Sequence, residues 1–195
     1  MHRDELWQLY GANGQPLEGQ GVPSESAHAP DVSFGLAIVW LWRLSNDTLE
    51  VCLQKRAMTK PRWPGMYSTS GGGHINVGET PWEAALRECR EEIGVTLDVD
   101  KLHFIGTFRV ALEPQNIRFV FGYQVHGEVD FTFNDGEVES MEWMSLSELE
   151  ARLADPDGKT VIALYGEAYA ALMLEQLRHQ AKKAIEYNIN DKATT

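Results

Sequence analysis

The chain has 195 residues, an apolar fraction of 43% and a formal net charge of −12 at pH 7. This length is enough for one domain with a substantial core, while the negative charge disfavours nucleic-acid polymers because like charges repel. The longest apolar run, residues 34–42, is too short to cross a bilayer as a helix. We therefore expect a single domain over residues 1–195 that acts on a small molecule, without a membrane partner.

The N-terminus and the cysteines indicate a cytoplasmic protein. Residues 1–11 have neither the basic start nor the apolar stretch of a signal peptide. Cys52 and Cys89 both lie in apolar segments that are expected to be buried, which is typical of reduced thiols. A cytoplasmic location is the expectation that follows.

Strands and helices alternate along a predicted core of about residues 30–153, after an N-terminal extension over residues 1–29. Residues 34–42 and 49–55 are predicted to be strands joined by a polar turn. Further strands are predicted at residues 66–75, 103–111, 117–126 and 138–144. Helices are predicted at residues 80–93, 146–153 and about 160–186. Mixed strands with a few helices indicate an α/β or α+β protein.

The helix at residues 80–93 has sequence signals at both ends. Thr80 and Glu83 form a capping box with a proline at the first helical position, so the helix should begin at Thr80. Gly94 should end it as a left-handed cap. The apolar side chains at helical spacing, which should form its buried stripe, are Trp82, Ala85, Leu86, Cys89 and Ile93. The acidic side chains would then face away from the core.

Three carboxylates on this helix are the candidate metal ligands. Glu88, Glu91 and Glu92 stand at positions i, i+3 and i+4, so they share one face and repel one another unless a positive charge lies between them. Mg²⁺ or Mn²⁺ meets this demand because hard cations take oxygen ligands. A solvated acidic helix face is the alternative. Arg87 lies four residues from both Glu83 and Glu91, so its guanidinium should orient carboxylates rather than bind substrate.

The segment before this helix contains candidates for substrate binding. Three consecutive glycines, which include Gly72 and Gly73, allow the backbone to approach a ligand closely. Arg56, Lys60 and Arg62 precede them and could bind a diphosphate. Solvated surface is the alternative for these three cations.

The segment from Gly73 to Val95 resembles the Nudix box. Every fixed position of that motif is matched, by Gly73, Glu79, Arg87, Glu88, Glu91, Glu92, Gly94 and Val95. Cys89 is the one departure, because a branched aliphatic residue is usual there. The resemblance implies a Nudix-type α/β/α sandwich around a mixed β-sheet, with the helix at about residues 160–186 as an extra C-terminal element.

The resemblance also implies a function. It implies a metal-dependent hydrolase of Nudix pyrophosphohydrolase type, which cleaves a diphosphate linkage in a nucleoside diphosphate derivative or a related organic diphosphate. Water would be the nucleophile, and either Glu91 or Glu137 would remove its proton. Glu137 lies where Nudix hydrolases often supply an extra acid to the site, although a charged loop is its alternative interpretation.

Over about residues 5–153, the sequence looks like the Nudix subgroup that is closest to isopentenyl diphosphate isomerases. These isomerases carry a catalytic cysteine where this chain has Gly72, two residues before His74, and a glutamate pair where it has Pro-Gln-Asn at residues 114–116. Without that thiol and those acids, no side chain is in place to add or remove the protons that moving a double bond requires. Hydrolysis is therefore favoured, with His74 as a substrate contact or a support for the site. An isomerase-like enzyme and a non-catalytic binding module are the alternatives.

The predicted C-terminal helix should pack on the sheet through its apolar side chains. Leu164, Ala168, Ala171 and Leu172, followed by Glu175, form the expected stripe. A contact in a homodimer is the alternative for this face.

Overall fold

The computed structural model of the protein describes residues 6–23, 32–110, 115–134, 136–155 and 157–193. Its strands are β1 (Trp7–Tyr10), β2 (Pro16–Val22), β3 (Ser33–Ser45), β4 (Thr48–Arg56), β5 (Tyr67–Ser68), β6 (Gly71–His74), β7 (His103–Val110), β8 (Asn116–Gln124) and β9 (Val138–Ser145). Its α-helices are α1 (Pro81–Ile93), α2 (Leu146–Ala154) and α3 (Glu167–Ala193). Short 3-10 helices lie at Val99–Lys101 and Val161–Tyr165.

Strand β3 is the centre of one mixed sheet. It pairs in parallel with β8 and antiparallel with β1, β4 and β6. Strand β7 extends the sheet beyond β8, and β5 and β9 both pair with β4. The register of β3 with β6 places Ile38 opposite Gly72, so the glycine segment lies directly against the central strand.

Helices cover both faces of β3, which explains its unbroken apolar run. Ala37 and Val39 lie in a core cluster with the apolar side chains of α1. Ile38 and Trp40 point to the opposite face, because successive strand residues alternate, and pack with residues of α2 and α3. The predicted α/β/α sandwich around a mixed sheet is confirmed.

The predicted N-terminal extension contains two strands that the sequence analysis did not assign. Strands β1 and β2 pair antiparallel, and β1 joins β3. Trp7, Leu9 and Val22 form a small separate cluster with Phe34 of β3, whereas Tyr10 packs in the same cluster as α1. Most of β2 is exposed and two of its residues are glycine, so it lacks the apolar alternation that identifies a strand from sequence. Residues 1–5 and 24–29 of the extension lie outside the described residues.

The C-terminal helix packs on the sheet as predicted, but through a different face. α3 begins at Glu167 instead of near residue 160, after Gly166 with a φ of 97°. Its buried side chains include Tyr169, Met173, Leu177 and Ala181. The predicted stripe residues Ala168, Ala171 and Leu172 are exposed, and the side chain of Leu164 is outside the described part of the chain. No described helix combines the length and the apolar character that a membrane span requires.

Candidate active site

The ends of α1 form as the sequence predicts. The Thr80 hydroxyl accepts a hydrogen bond from the Glu83 amide at 3.2 Å, and the Glu83 carboxylate accepts one from the Thr80 amide at 2.8 Å. Gly94 has a φ of 72° and donates its amide to the Cys89 carbonyl. Both caps are confirmed, so the length of this helix is determined by local sequence.

The buried stripe of α1 differs from the prediction, since it also includes Ala84 and Glu92 while Leu86 is only half-buried. Trp82 is 36% exposed, and its ring packs against Phe104 and Phe121. Glu92 is only 7% exposed, although it was expected to face away from the core. The carboxylates therefore point in different directions, because one of them is turned toward the sheet.

Arg87 connects the loop before α1 to the carboxylates on α1. Its Nε and Nη2 donate to the two oxygens of Glu79 at 2.8 and 2.9 Å. Its Nη1 donates to Glu88 at 2.7 Å and to Glu91 at 3.2 Å, and its Nη2 also donates to the His74 carbonyl at 2.8 Å. A bidentate contact of this kind needs the planar fork of a guanidinium.

The helical spacing predicts Glu83 as a partner of Arg87, but the structure shows Glu79 in its place. Glu83 is engaged in the N-terminal cap, whereas Glu79 precedes the helix, where helical spacing gives no information. Burial alone would lower the pKa of Arg87, but the hydrogen bonds and charges of Glu79 and Glu88 outweigh it and raise that pKa. Arg87 is thus a permanent cation in this site.

The carboxylates of α1 press against the backbone of β6. Glu92 accepts a hydrogen bond from the Gly72 amide at 3.0 Å and a long one from Gln54 Nε2 at 3.5 Å. A Cβ at Gly73 would lie 2.4 Å from the Glu88 carboxyl carbon. Glycine at residue 73 is therefore what allows the Glu88 carboxylate to approach the strand, whereas Glu92 reaches it through the main-chain amide of residue 72.

The donor set suits a hard cation, although it is not preassembled. No three His, Cys, Asp or Glu side chains among the described residues converge as a metal site. Glu88 and Glu91 share the Arg87 guanidinium, so the positive charge that their spacing demands is supplied by this arginine. The three carboxylates still offer only oxygen donors on one capped helix, and Glu91 is 45% exposed. Such a set fits Mg²⁺ or Mn²⁺ chemically.

Glu137 lies in the segment before β9, near the loop that follows β4. Its carboxylate forms an ion pair with Lys60, and its carbonyl accepts a hydrogen bond from the Ala57 amide at 2.9 Å. Burial, followed by the charges of Lys60 and Arg87, lowers the pKa of His74 to about 3. The charge of Lys60 therefore acts on His74, and Lys60 in turn is paired with Glu137.

The other two predicted phosphate-binding cations make contacts within their own loop. Arg56 donates to the Arg62 carbonyl through Nε at 3.2 Å and Nη2 at 3.1 Å. The Arg62 guanidinium lies over the Trp63 ring, 5.8 Å from its centroid. Their role in binding a substrate stays a prediction.

Gly72 bears directly on the isomerase alternative. Its φ is 146°, and a Cβ there would lie 2.3 Å from the Ala37 carbonyl oxygen and 3.0 Å from the Ile38 Cα. The β3 backbone thus excludes any side chain, including a thiol, from the place of the isomerase cysteine. Asn116, at the place of the isomerase acids, accepts a hydrogen bond from Arg118 at 2.9 Å; Pro114 lies outside the described residues.

The two cysteines of the chain cannot replace that thiol. Cys52 and Cys89 are both fully buried in the cluster beneath α1. Burial raises the pKa of Cys52 to about 12 and the pKa of Cys89 well above its ordinary value. Neither therefore supplies a thiolate near neutral pH.

Sequence reasoning missed one aromatic neighbour of the site. The Trp7 ring stacks on the His74 imidazole with a centroid separation of 3.6 Å and an interplanar angle of 7°. Phe34 adds a tilted contact at 5.0 Å. No local signal could have identified Trp7, because the contact depends on the pairing of strands that are distant in sequence.

Comparisons with known proteins agree with this architecture. A crystal structure of the Deinococcus radiodurans protein DR0079 superposes with a TM-score of 0.63 at 23% identity, covering 87% of this chain and 98% of that one. A Caenorhabditis elegans Ap4A hydrolase in a binary complex superposes with a TM-score of 0.54 at 21% identity, covering 73% and 94%. Both likenesses concern the fold.

The sequence comparisons are more specific. An isopentenyl-diphosphate Delta-isomerase from Escherichia coli O127:H6 is 31% identical over 147 residues, which cover 67% of this chain and 75% of that protein. Residues 36–165, which include the whole of α1 and the segment of Glu137, match the NUDIX domain. With its box residues gathered around Arg87 on a helix capped at both ends, the chain belongs to the Nudix family.

Proposed function

We propose that this Nudix protein is a metal-dependent hydrolase that cleaves a diphosphate linkage in a nucleoside diphosphate derivative or a related organic diphosphate. The arrangement around Arg87 carries this proposal, since it gathers Glu79, Glu88 and Glu91 beside the glycine strand. The similarity in fold to an enzyme named Ap4A hydrolase supports a hydrolytic reaction. A cytoplasmic location and a homodimer stay predictions.

Glu88, Glu91 and Glu92 are the residues we assign to the metal, Mg²⁺ or Mn²⁺. Members of the Nudix family generally use divalent metal ions. When bound, such an ion offsets the negative charge that builds on a diphosphate during attack at phosphorus. Arg87 keeps its bidentate contact with Glu79 even if Glu88 and Glu91 turn away from it, so the helix retains its support when those carboxylates change partner.

A carboxylate removes the proton from the attacking water. Glu91 and Glu137 are both candidates, and each is paired with a cation, Arg87 and Lys60 respectively. A substrate phosphate that attracts Lys60 would free Glu137.

The remaining assignments concern substrate binding. Arg56, at the end of β4, and Arg62, on the loop that follows, would contact the phosphates. The backbone at Gly72 and Gly73 would line the site. His74 would support it through its carbonyl, since its ring is covered by Trp7.

The test is a panel of diphosphates with Mg²⁺ or Mn²⁺, and the same panel in EDTA. The panel contains ADP-ribose, dinucleoside polyphosphates, nucleoside di- and triphosphates and isopentenyl diphosphate. We expect metal-dependent product release from at least one nucleotide substrate. Binding without turnover across the panel would contradict the proposal and favour a non-catalytic binding module.

Isopentenyl diphosphate isomerisation is the second candidate, favoured by the 31% identity to an enzyme of that name. We predict that the wild-type protein does not convert isopentenyl to dimethylallyl diphosphate, because Gly72 leaves no room for a thiol and both cysteines are buried. Product analysis with the purified protein and metal checks this. Conversion that a thiol reagent abolishes would replace the hydrolase assignment. A Gly72→Cys variant is a poor test, since its side chain would collide with the β3 backbone.

A further inference from the structure

Strands β1 and β2 form an N-terminal hairpin. Hydrogen bonds join this hairpin to residues 75–77, the segment that leads into α1. The Gln8 amide donates to the Ile75 carbonyl at 2.7 Å, and the Val77 amide donates to the Leu6 carbonyl at 2.8 Å. Trp7 and Asn76 face each other as an antiparallel bridge. Strand β1 therefore holds residues 75–77, between β6 and the box helix, by main-chain hydrogen bonds.

Two groups in or beside that segment hold the Arg87–Glu79 pair. The His74 carbonyl accepts a hydrogen bond from Arg87 Nη2 at 2.8 Å. The Asn76 amide donates to the Glu79 carboxylate at 3.0 Å. Residues 74 and 76 are therefore bonded directly to the cation and to its bidentate partner.

Trp7 is the side chain that clamps this segment. It is 6% exposed, and its nearly parallel stack on the His74 ring leaves little freedom for the backbone at that residue. Leu9 and Val22 share the same hydrophobic cluster, but the stacked contact with His74 comes from Trp7, and Phe34 of β3 adds only a tilted one. The hairpin thus contains both a contact to the site and ordinary packing residues.

We propose that Trp7 is a positioning residue of the active site, which acts by fixing His74, whose carbonyl in turn orients Arg87 and the carboxylates on α1. This inference rests on the proposed metal-dependent function. It assigns the N-terminal hairpin a role in the site, although the hairpin lies outside residues 36–165 that match the family.

The experiment compares Trp7→Ala, Trp7→Phe and the control Leu9→Ala in the full chain. Mn²⁺ affinity is measured by calorimetry without substrate, and kcat and KM with the substrate identified from the panel. We expect Trp7→Ala to weaken Mn²⁺ binding and lower kcat by about 10- to 100-fold, the usual effect of losing a residue that supports metal ligands. Trp7→Phe should restore most of both values because it retains a flat ring.

Leu9→Ala distinguishes positioning from general stability. It removes apolar area from the same hairpin, so it should lower the melting temperature and leave Mn²⁺ affinity and kcat near the wild-type values. Equal losses of affinity in Leu9→Ala and Trp7→Ala, or wild-type affinity in Trp7→Ala, would overturn the proposal. Should Trp7→Ala not fold, Trp7→Leu takes its place, since it keeps apolar volume and lacks the stacked ring.

The outcomes separate this inference from the proposed function. Hydrolysis by the wild type with Trp7→Ala unaffected refutes the role of Trp7 and leaves the hydrolase standing. Trp7-dependent Mn²⁺ binding without hydrolysis of any panel substrate refutes the hydrolase and leaves the role of Trp7 standing. A wild-type protein that binds no Mn²⁺ refutes the role of Trp7.

Discussion

At the scale of single residues, Arg87 and Glu92 have the most specific surroundings in the candidate site. Arg87 contacts three carboxylates and one carbonyl, which a single ammonium could not do with the same geometry. Glu92 is buried against the Gly72 amide. The two residues therefore differ in what a conservative substitution removes.

Glu92→Gln removes a charge while it keeps the shape of the side chain. The amide oxygen can still accept the Gly72 hydrogen bond, so we expect the melting temperature to change little. Loss of an anionic metal ligand should lower kcat by about 100- to 1,000-fold, because stabilisation of the transition-state charge is lost. Steady-state kinetics over a range of Mg²⁺ concentrations checks this, with the exposed Glu175→Gln on α3 as control. Wild-type kcat in Glu92→Gln would argue against a metal role for this carboxylate.

Arg87→Lys keeps the charge and removes the planar fork. We expect kcat to fall by about 10- to 100-fold together with weaker Mn²⁺ binding, since the bidentate contact with Glu79 is lost. Arg90→Lys, at an exposed position of the same helix, is the matched control. Identical kinetics for Arg87→Lys and the wild type would show that the fork does not orient the carboxylates.

At the scale of elements, α1 is determined locally, whereas its neighbours are determined by pairing. Its caps at Thr80 and Gly94 need no distant residue. Strand β6 consists of three glycines and His74, so it has little strand propensity of its own. It is held by its register with β3 and by the hydrogen bonds from β1 to the segment that follows.

Thr80→Ala should destabilise the fold through α1. The substitution removes the side-chain acceptor of the capping box, which costs about 1 kcal/mol of unfolding free energy. Urea denaturation measures the change, with the exposed Thr96→Ala as control. A free energy of unfolding equal to that of the wild type would mean that packing against the sheet, and not the cap, determines where α1 begins.

At the scale of the whole molecule, the sheet and α1 bring distant parts of the chain to one candidate site. β1 contributes Trp7, β6 contributes His74, and α1 contributes Arg87. Lys60, on the loop after β4, acts on His74 through its charge and is paired with Glu137 before β9. The candidate site therefore forms only in the folded chain, so the pKa values of its ionisable groups differ between the folded and the unfolded chain.

His74 links the global stability to pH. Its folded pKa is about 3, below the ordinary value of 6.5, because of burial and the charges of Lys60 and Arg87. Between these values the unfolded chain binds a proton that the folded chain does not, so stability should fall as pH decreases from 6.5 toward about 3. His74→Phe keeps a ring against Trp7 and should flatten this dependence, whereas the exposed His126→Gln should not. Parallel pH profiles of the melting temperature in wild type and His74→Phe would contradict this.

The sequence alone determined the features that arise within one element. The capping box, the left-handed glycine cap and the i, i+3, i+4 spacing of the carboxylates all follow from helical geometry. The apolar run of β3 likewise indicated a strand buried on both faces. The mixed α/β class and the box motif were recognisable for the same reason.

Only the tertiary structure decided which residues meet across elements. The Glu79–Arg87 pair, the burial of Glu92 against Gly72 and the stack of Trp7 on His74 depend on strand register and on how α1 lies against β6. The buried face of α3 was also misassigned from sequence, because it depends on how the helix lies against the sheet. Helical and strand periods repeat locally, whereas these contacts join segments whose separation in sequence carries no information about distance.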